Sequence, residues 1–249
     1  MRRAAALHSA GVVLLVAGSL AAQSFNSEAE ARFNIGISHI REGRYDMAIE
    51  TIKQAIKGDP KNAFFHKGLG TAYAAKQKWP EAIEAYRKAL VLNPYYVDVK
   101  NDLGTALILS GKRDEGKSEF LALFSDPTNP TPEITARNLG QAYLEEKNWG
   151  EAANWFKTAI TRAKNYSEAY LGAADAFLGM GRLEDAVSTL EAGLKEVPDD
   201  PRINLALGQA YFNAGRFSEA RARLEHVARR DPTSPAGKRA AELLRDFPK

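Results

Sequence analysis

Four histidines, His8, His39, His66 and His226, are the side chains of this 249-residue sequence best suited to proton transfer or metal ligation near neutral pH. Either role needs partners: a hydroxyl or thiol nucleophile within reach, a second titratable group, or further ligands at metal-binding spacing. The sequence places no serine, cysteine or paired carboxylate to work with any of them. His39 and His66 fall at packing positions of a helical pattern, His226 lies near a helix end, and His8 sits in an apolar N-terminal stretch. There is no cysteine, which excludes disulfides, thiolate metal sites and thiol nucleophiles. Gly68-Leu69-Gly70 has the composition of a phosphate loop but lies inside a helical pattern, where no strand-to-helix turn can form the cradle. The expectation is therefore no catalytic residue, no metal and no cofactor. What remains is non-covalent chemistry, and Asn and Gln are the residues for it, since each can both donate to and accept from a peptide backbone.

The elements that would position such residues are repeated. The stretch Gly70–Pro94 reads G-x-x-Y-x-x-x-x-x-W-x-x-A-x-x-x-Y-x-x-A-x-x-x-x-P. Related patterns recur at roughly 34-residue intervals, the length of two helices and a tight turn. Six copies are assigned: residues 29–62, 63–96, 97–132, 133–166, 167–200 and 201–234. The small residue after leucine in the first helix (Gly70, Gly104, Gly140, Gly208) leaves room for close backbone approach, as does the early alanine of the second (Ala82, Ala152, Ala186, Ala220). The aromatic opening the second helix, Tyr45, Trp79, Trp149 or Phe217, is expected to fill the space those small residues leave. Gly43, Gly111, Gly181 and Gly215 mark the ends of first helices. Pro60, Pro94, Pro198 and Pro232 stop second helices. The third copy departs: it has Gly116 for alanine and Arg113 in the aromatic slot, and ends in the three-proline stretch Ser125–Pro132, read as a stiff extended turn where the path changes. Residues 235–249 read as an amphipathic capping helix and tail, with Leu243, Leu244 and Phe247 facing the last repeat.

The net charge is +3, of which Arg2 and Arg3 supply two, so no broad field for nucleic acid is expected. Met1-Arg2-Arg3 followed by an uncharged run from Ala4 to Ala22, with Gly11–Gly18 as its apolar centre, has the layout of a secretory signal peptide over residues 1–22. Cleavage is expected after Ala21 or Ala22, giving an exported, periplasmic protein with no membrane span. The alternative is an uncleaved N-terminal anchor, the run approaching the ~20 residues that span a bilayer.

The six registered copies resemble the tetratricopeptide repeat (TPR) family. That resemblance implies an all-α fold, a right-handed α-solenoid of six helix pairs with a C-terminal capping helix. It also implies a concave groove lined by the first helices and recognising a protein or extended peptide. Its exposed groove positions would fall at Phe33, Asn34 and Ile37; at Phe64, Lys67 and Thr71; at Asn101, Asp102 and Thr105; at Arg137, Asn138, Gln141 and Glu145; at Leu171 and Asp175; and at Leu205, Gln209 and Phe212. A carboxylate clamp of that family would need Lys, Asn, Asn, Lys and Arg where this sequence has Lys67, Thr71, Asp102, Ile134 and Asn138, so a clamp is not expected. An asparagine ladder is partial, with Asn34, Asp102 and Asn138 but Gly68, Gly172 and Ala206 between and beyond.

Six repeats behind an export signal, with Asp126–Glu133 followed by Ala136-Arg137-Asn138-Leu139-Gly140, are also similar to the pilotin-type repeat proteins of type IV pilus biogenesis. That resemblance implies help in secretin assembly. The chain lacks the cysteine by which such proteins are lipid-anchored.

Overall fold

The computed structural model describes residues 27–247; the expected signal peptide lies outside them. Thirteen helices and no strands are found among the described residues. Their order is α1 (27–41), α2 (Tyr45–Gly58), α3 (Ala63–Ala75), α4 (Trp79–Leu92), α5 (Val97–Leu109), α6 (Arg113–Phe124), α7 (Pro132–Glu145), α8 (Trp149–Arg162), α9 (Ser167–Gly179), α10 (Leu183–Glu196), α11 (Pro201–Asn213), α12 (Phe217–Arg230) and α13 (Pro235–Arg245). Six antiparallel pairs precede a single last helix, an all-α repeat fold. The chain forms two compact units, one up to Glu119 and one from Phe120.

Each pair is joined by the same turn. In α9 the amide of Gly181 donates to the Leu178 carbonyl and that of Arg182 to the Phe177 carbonyl, both at 2.9 Å, which satisfies the last helical acceptors as a Schellman motif. The motif needs a left-handed residue, and Gly43, Gly111, Gly181 and Gly215 have φ of 72°, 88°, 72° and 74°. In the other two described turns that seat is filled by Gln77 and Lys147, each at φ 58°.

In the first unit, Ala48, Ile52 and Ala55 of α2 pack with Phe33, Phe65 and Leu69. Ile83, Tyr86 and Ala89 of α4 pack with Val99, Leu103 and Leu107 of α5. In the second unit Phe156, Tyr170, Phe177, Leu190, Ile203, Leu207 and Tyr211 form one continuous core. Leu224 and Val227 pack with Ala240, Leu243, Leu244 and Phe247, so α13 covers part of α12.

The rings that fill the space left by the small residues are not the expected ones. Those opening the second helices stay partly exposed, Phe217 at 48%. The wedge comes from seven residues further on. Tyr86 packs against Gly70, and Phe156 lies between Gly140 and Gly172, where an added Cβ would come within 3.0 Å and 2.3 Å of the ring. Gly116, at the position of alanine in other repeats, is explained the same way: its Cβ would lie 2.7 Å from the Gly104 carbonyl oxygen.

The three-proline stretch is ordered by a buried side chain as well as by its prolines. Asn129 donates to the Leu123 carbonyl and the Thr135 hydroxyl, both at 3.1 Å, and accepts from the Thr131 amide at 3.0 Å. Pro132 opens α7, where its missing N–H costs nothing, rather than closing the turn.

Two glycine substitutions separate backbone strain from steric crowding. Gly181→Ala meets no atom within 4 Å, so its expected cost is the left-handed penalty alone, about 1 kcal/mol. Gly172→Ala should cost about 2 kcal/mol despite the ~1 kcal/mol that alanine gains in helix propensity. Phe156→Leu should relieve part of the Gly172→Ala loss and none of the Gly181→Ala loss. Urea midpoints of the singles and doubles test this, and equal coupling to both glycines refutes it.

Candidate peptide-binding walls

Within the second unit α7 touches α9, α9 touches α11 and α11 touches α13, while neither α8 and α10 nor α10 and α12 are in contact. The odd-numbered helices are thus the closer-packed layer, and the side chains they leave uncovered form its wall. In the first unit α3 and α5 are likewise in contact.

The wall of the first unit is aromatic and ionic. Phe64 is 56% exposed and stacks on Tyr96 with ring centroids 6.2 Å apart. Lys67 lies over the same Tyr96 ring at 5.1 Å and pairs with Asp98 at 3.2 Å. Asp102 is half-buried beside them; burial pushes its carboxyl above the usual carboxylate range, and the charge of Lys67 pulls it partly back. Asn34 and Thr105 are exposed; Ile37, Thr71 and Asn101 are half-buried. Thr71 and Thr105 donate to carbonyls of their own helices, Lys67 and Asn101, at 3.1 and 3.0 Å, which leaves their oxygens as acceptors only.

Phe33 does not belong to this wall as an exposed contact. It is 5% exposed, stacks on Phe65 at 4.8 Å, and fills the notch over Gly68, whose Cβ would lie 2.4 Å from its ring. Its place in the first helix suggested a surface; the missing side chain at Gly68 draws it into the core.

In the second unit, Arg137 donates from Nε to the Tyr166 hydroxyl at 3.2 Å and is half-buried with Asn138. Gln141 is exposed and donates to Glu145 on its own helix. Asp175 and Gln209 meet at a cavity of about 490 Å³. Its lining also includes Leu171 and Phe212, expected at the groove, and Leu178, Asn213, Asp246 and Phe247, which lie beyond the groove positions expected from the sequence. Leu178 lies one turn beyond Asp175 on α9, and Asn213 directly follows Phe212 on α11. Burial alone raises the Asp175 carboxyl, although its side chain reaches solvent.

The first turn of α11 is held in place by ionic contacts. Asp200 caps the helix, accepting from the amides of Arg202 at 2.8 Å and Ile203 at 3.3 Å. Arg202 bridges it to Glu168 of α9, with both ion pairs at 2.8 Å. Burial alone would raise the Asp200 carboxyl, but hydrogen bonds from Arg202, Ser167 and the backbone hold it down to about 2.

Of the histidines, His66 donates from Nε2 to the Pro60 carbonyl at 3.0 Å, a structural contact. Among the described residues no group of three or more His, Asp or Glu could hold a metal, and no helix is long and apolar enough to cross a membrane.

Two family models, both described as tetratricopeptide repeat, match residues 33–97, 143–206 and 190–244. The peroxisomal targeting signal receptor of Candida albicans is 27% identical over 110 residues, which are 44% of this chain and 19% of the receptor. The chain thus spans about a fifth of that relative's length. Among solved structures, PilW, a widely conserved type IV pilus biogenesis factor, aligns over 86% of this chain and 98% of its own, with TM-score 0.67 and 22% identity. PilF of Pseudomonas aeruginosa aligns over 86% and 97%, with TM-score 0.64 and 21% identity. At these identities the likeness is one of fold.

The Asp200 contacts make an acid-dependent contribution. Because the folded carboxyl lies below its unfolded value of about 4, the contribution is complete above about pH 4 and is lost as the pH falls towards 2. Asp200→Asn should lower stability at neutral pH by about 1–2 kcal/mol, discounted because Arg202 is half exposed. The gap from wild type should close on acidification, and a gap in urea midpoint independent of pH refutes the assignment.

Proposed function

The chain belongs to the tetratricopeptide repeat family, and from that premise we propose that it is a non-enzymatic scaffold or adaptor that holds protein partners in the cell envelope through the walls of its odd-numbered helices. The observation that carries this is the character of those walls. Each unit offers exposed or half-exposed aromatic and aliphatic side chains beside polar groups on a rigid helical layer: Phe64 and Tyr96 with Lys67 in the first, Leu178 and Phe212 with Gln209 and Asn213 in the second. Such a surface takes alternate side chains of an extended segment in its apolar parts and the segment's backbone on its amides. It is formed before binding, so the ordering cost falls on the partner. Export rests on the layout of residues 1–22.

Retention of partners from an envelope extract tests this reading. The wild type and the triple variant Asn34→Ala, Arg137→Ala, Asn138→Ala should retain different sets of proteins, with the variant losing specific partners. Identical sets from two equally folded proteins overturn the role of these walls.

A second reading, a soluble factor in type IV pilus or secretin assembly, is favoured by the near end-to-end alignment with PilW and PilF. Deleting the gene should then reduce secretin multimers or surface pili, and unchanged multimers and pili remove the reading.

A further inference from the structure

The cavity of the second unit is lined by apolar side chains and two carboxylates. At about 490 Å³ it falls in the range of clefts that enclose small apolar groups. Leu190 and Leu224 line its base, and Leu178 and Phe212, 39% and 37% exposed, stand at its sides. Phe247, held edge-on to Phe212 at 5.1 Å and backed by the Arg221 guanidinium at 4.9 Å, lines it from just beyond the end of α13.

Among the described residues the charged side chains lining the cavity are Asp175 and Asp246, and no lysine, arginine or histidine of them lines it. Neither carboxylate is engaged by a side-chain hydrogen bond or ion pair among the described residues, in contrast to Asp200, Glu168, Glu191 and Glu219 of the same unit. Gln209 and Asn213, four residues apart on α11 and so on one face, are likewise unengaged. An apolar pit with two unpaired carboxylates and two free amides is complementary to one kind of polypeptide segment. A bare hydrophobe would leave the carboxylates partly desolvated without a counter-charge, and an acidic segment would be repelled.

We propose that this cavity receives an apolar side chain, leucine or phenylalanine, of an extended partner segment whose adjacent residue is lysine or arginine. The apolar side chain enters between Leu178, Phe212 and Phe247, the cation lies against Asp175 and Asp246, and Gln209 and Asn213 hold the segment's backbone. This rests on the reading of the chain as a polypeptide-binding repeat protein and specifies what its second unit selects.

Four synthetic ten-residue peptides of otherwise uncharged polar sequence test it, with central pairs Leu-Lys, Leu-Glu, Ala-Lys and Ala-Glu, titrated into the isotope-labelled full chain and followed by amide chemical shifts. The Leu-Lys peptide should bind at least about tenfold more tightly than the Leu-Glu and Ala-Lys peptides, the scale set by one apolar side chain or one close charge pair. Its shifts should centre on Leu178, Gln209 and Phe247. The double variant Asp175→Asn, Asp246→Asn keeps side-chain size at two exposed positions; it should retain the preference for Leu over Ala and lose most of the preference for Lys over Glu. Leu178→Ser should do the reverse. Equal binding of Leu-Lys and Leu-Glu peptides, shifts confined to α3 and α5, an unaltered preference in the double variant, or no shift at all overturns the proposal. Peptide shifts on α3 and α5 alone, with partners still retained from extract by the wild type and lost by the triple variant, overturn it while leaving the scaffold reading intact. Self-association of the chain through Phe247 in place of peptide binding also overturns it.

Discussion

The structure depends on one contact: an aromatic ring from a second helix set against glycines of the first helices on either side. Phe156 of α8 lies on Gly140 of α7 and on Gly172 of α9, at distances that admit no Cβ at Gly172 without a shift. One ring therefore fixes both the pairing within a repeat and the stacking onto the next. Its burial is worth about 1.5–3 kcal/mol in apolar transfer alone, but its larger consequence is geometric. A ring that fills a notch admits one separation and one rotation of the helices that form it. The wall residues on α7 and α9 inherit their spacing from that constraint.

The same physics explains what could and could not be read from the sequence. Small residues at fixed intervals report where helices approach closely, which is why the helix pairs were legible from Gly70, Gly140, Ala82 and Ala152. They do not report which large side chain enters the gap. The tryptophans opening α4 and α8 are more conspicuous than Tyr86 and Phe156, yet they stay partly exposed, and Trp149 packs against Gly179 at the end of α9 instead. The left-handed turn positions were legible where glycine marks them and invisible at Gln77 and Lys147, where the Schellman hydrogen bonds hold an ordinary residue in the same conformation. The order of the three-proline stretch was assigned to its prolines because nothing in the sequence shows that Asn129 is buried.

The walls were legible by position and only partly by exposure. Phe33 and Phe64 both sit in first helices and were assigned together; the first is buried because Gly68 provides a notch for it, the second is exposed because no notch faces it. Tyr96 and Asp98, which organise Lys67, stand at the very start of α5, outside the usual groove positions. Asp246 and Phe247 belong to the cap, which sequence reasoning treats as a lid over apolar surface and not as part of a wall.

That last point bears on where a repeat protein concentrates selectivity. Along α3, α5 and α7 the character of the wall is set by individual side chains such as Phe64, Lys67 and Arg137. Leu243 of α13 and Phe247, two residues beyond its end, line the cavity together with side chains of α9 and α11. The stacking that stabilises α13 does not require that Asp175 or Asp246 be acidic. Among the described residues neither carboxylate supports the fold by a side-chain hydrogen bond or ion pair, and burial works against the charge of Asp175. On the proposed reading, that unfavourable placement is offset when a cation arrives, so the second unit gains by recognition what Asp175 does not give to packing.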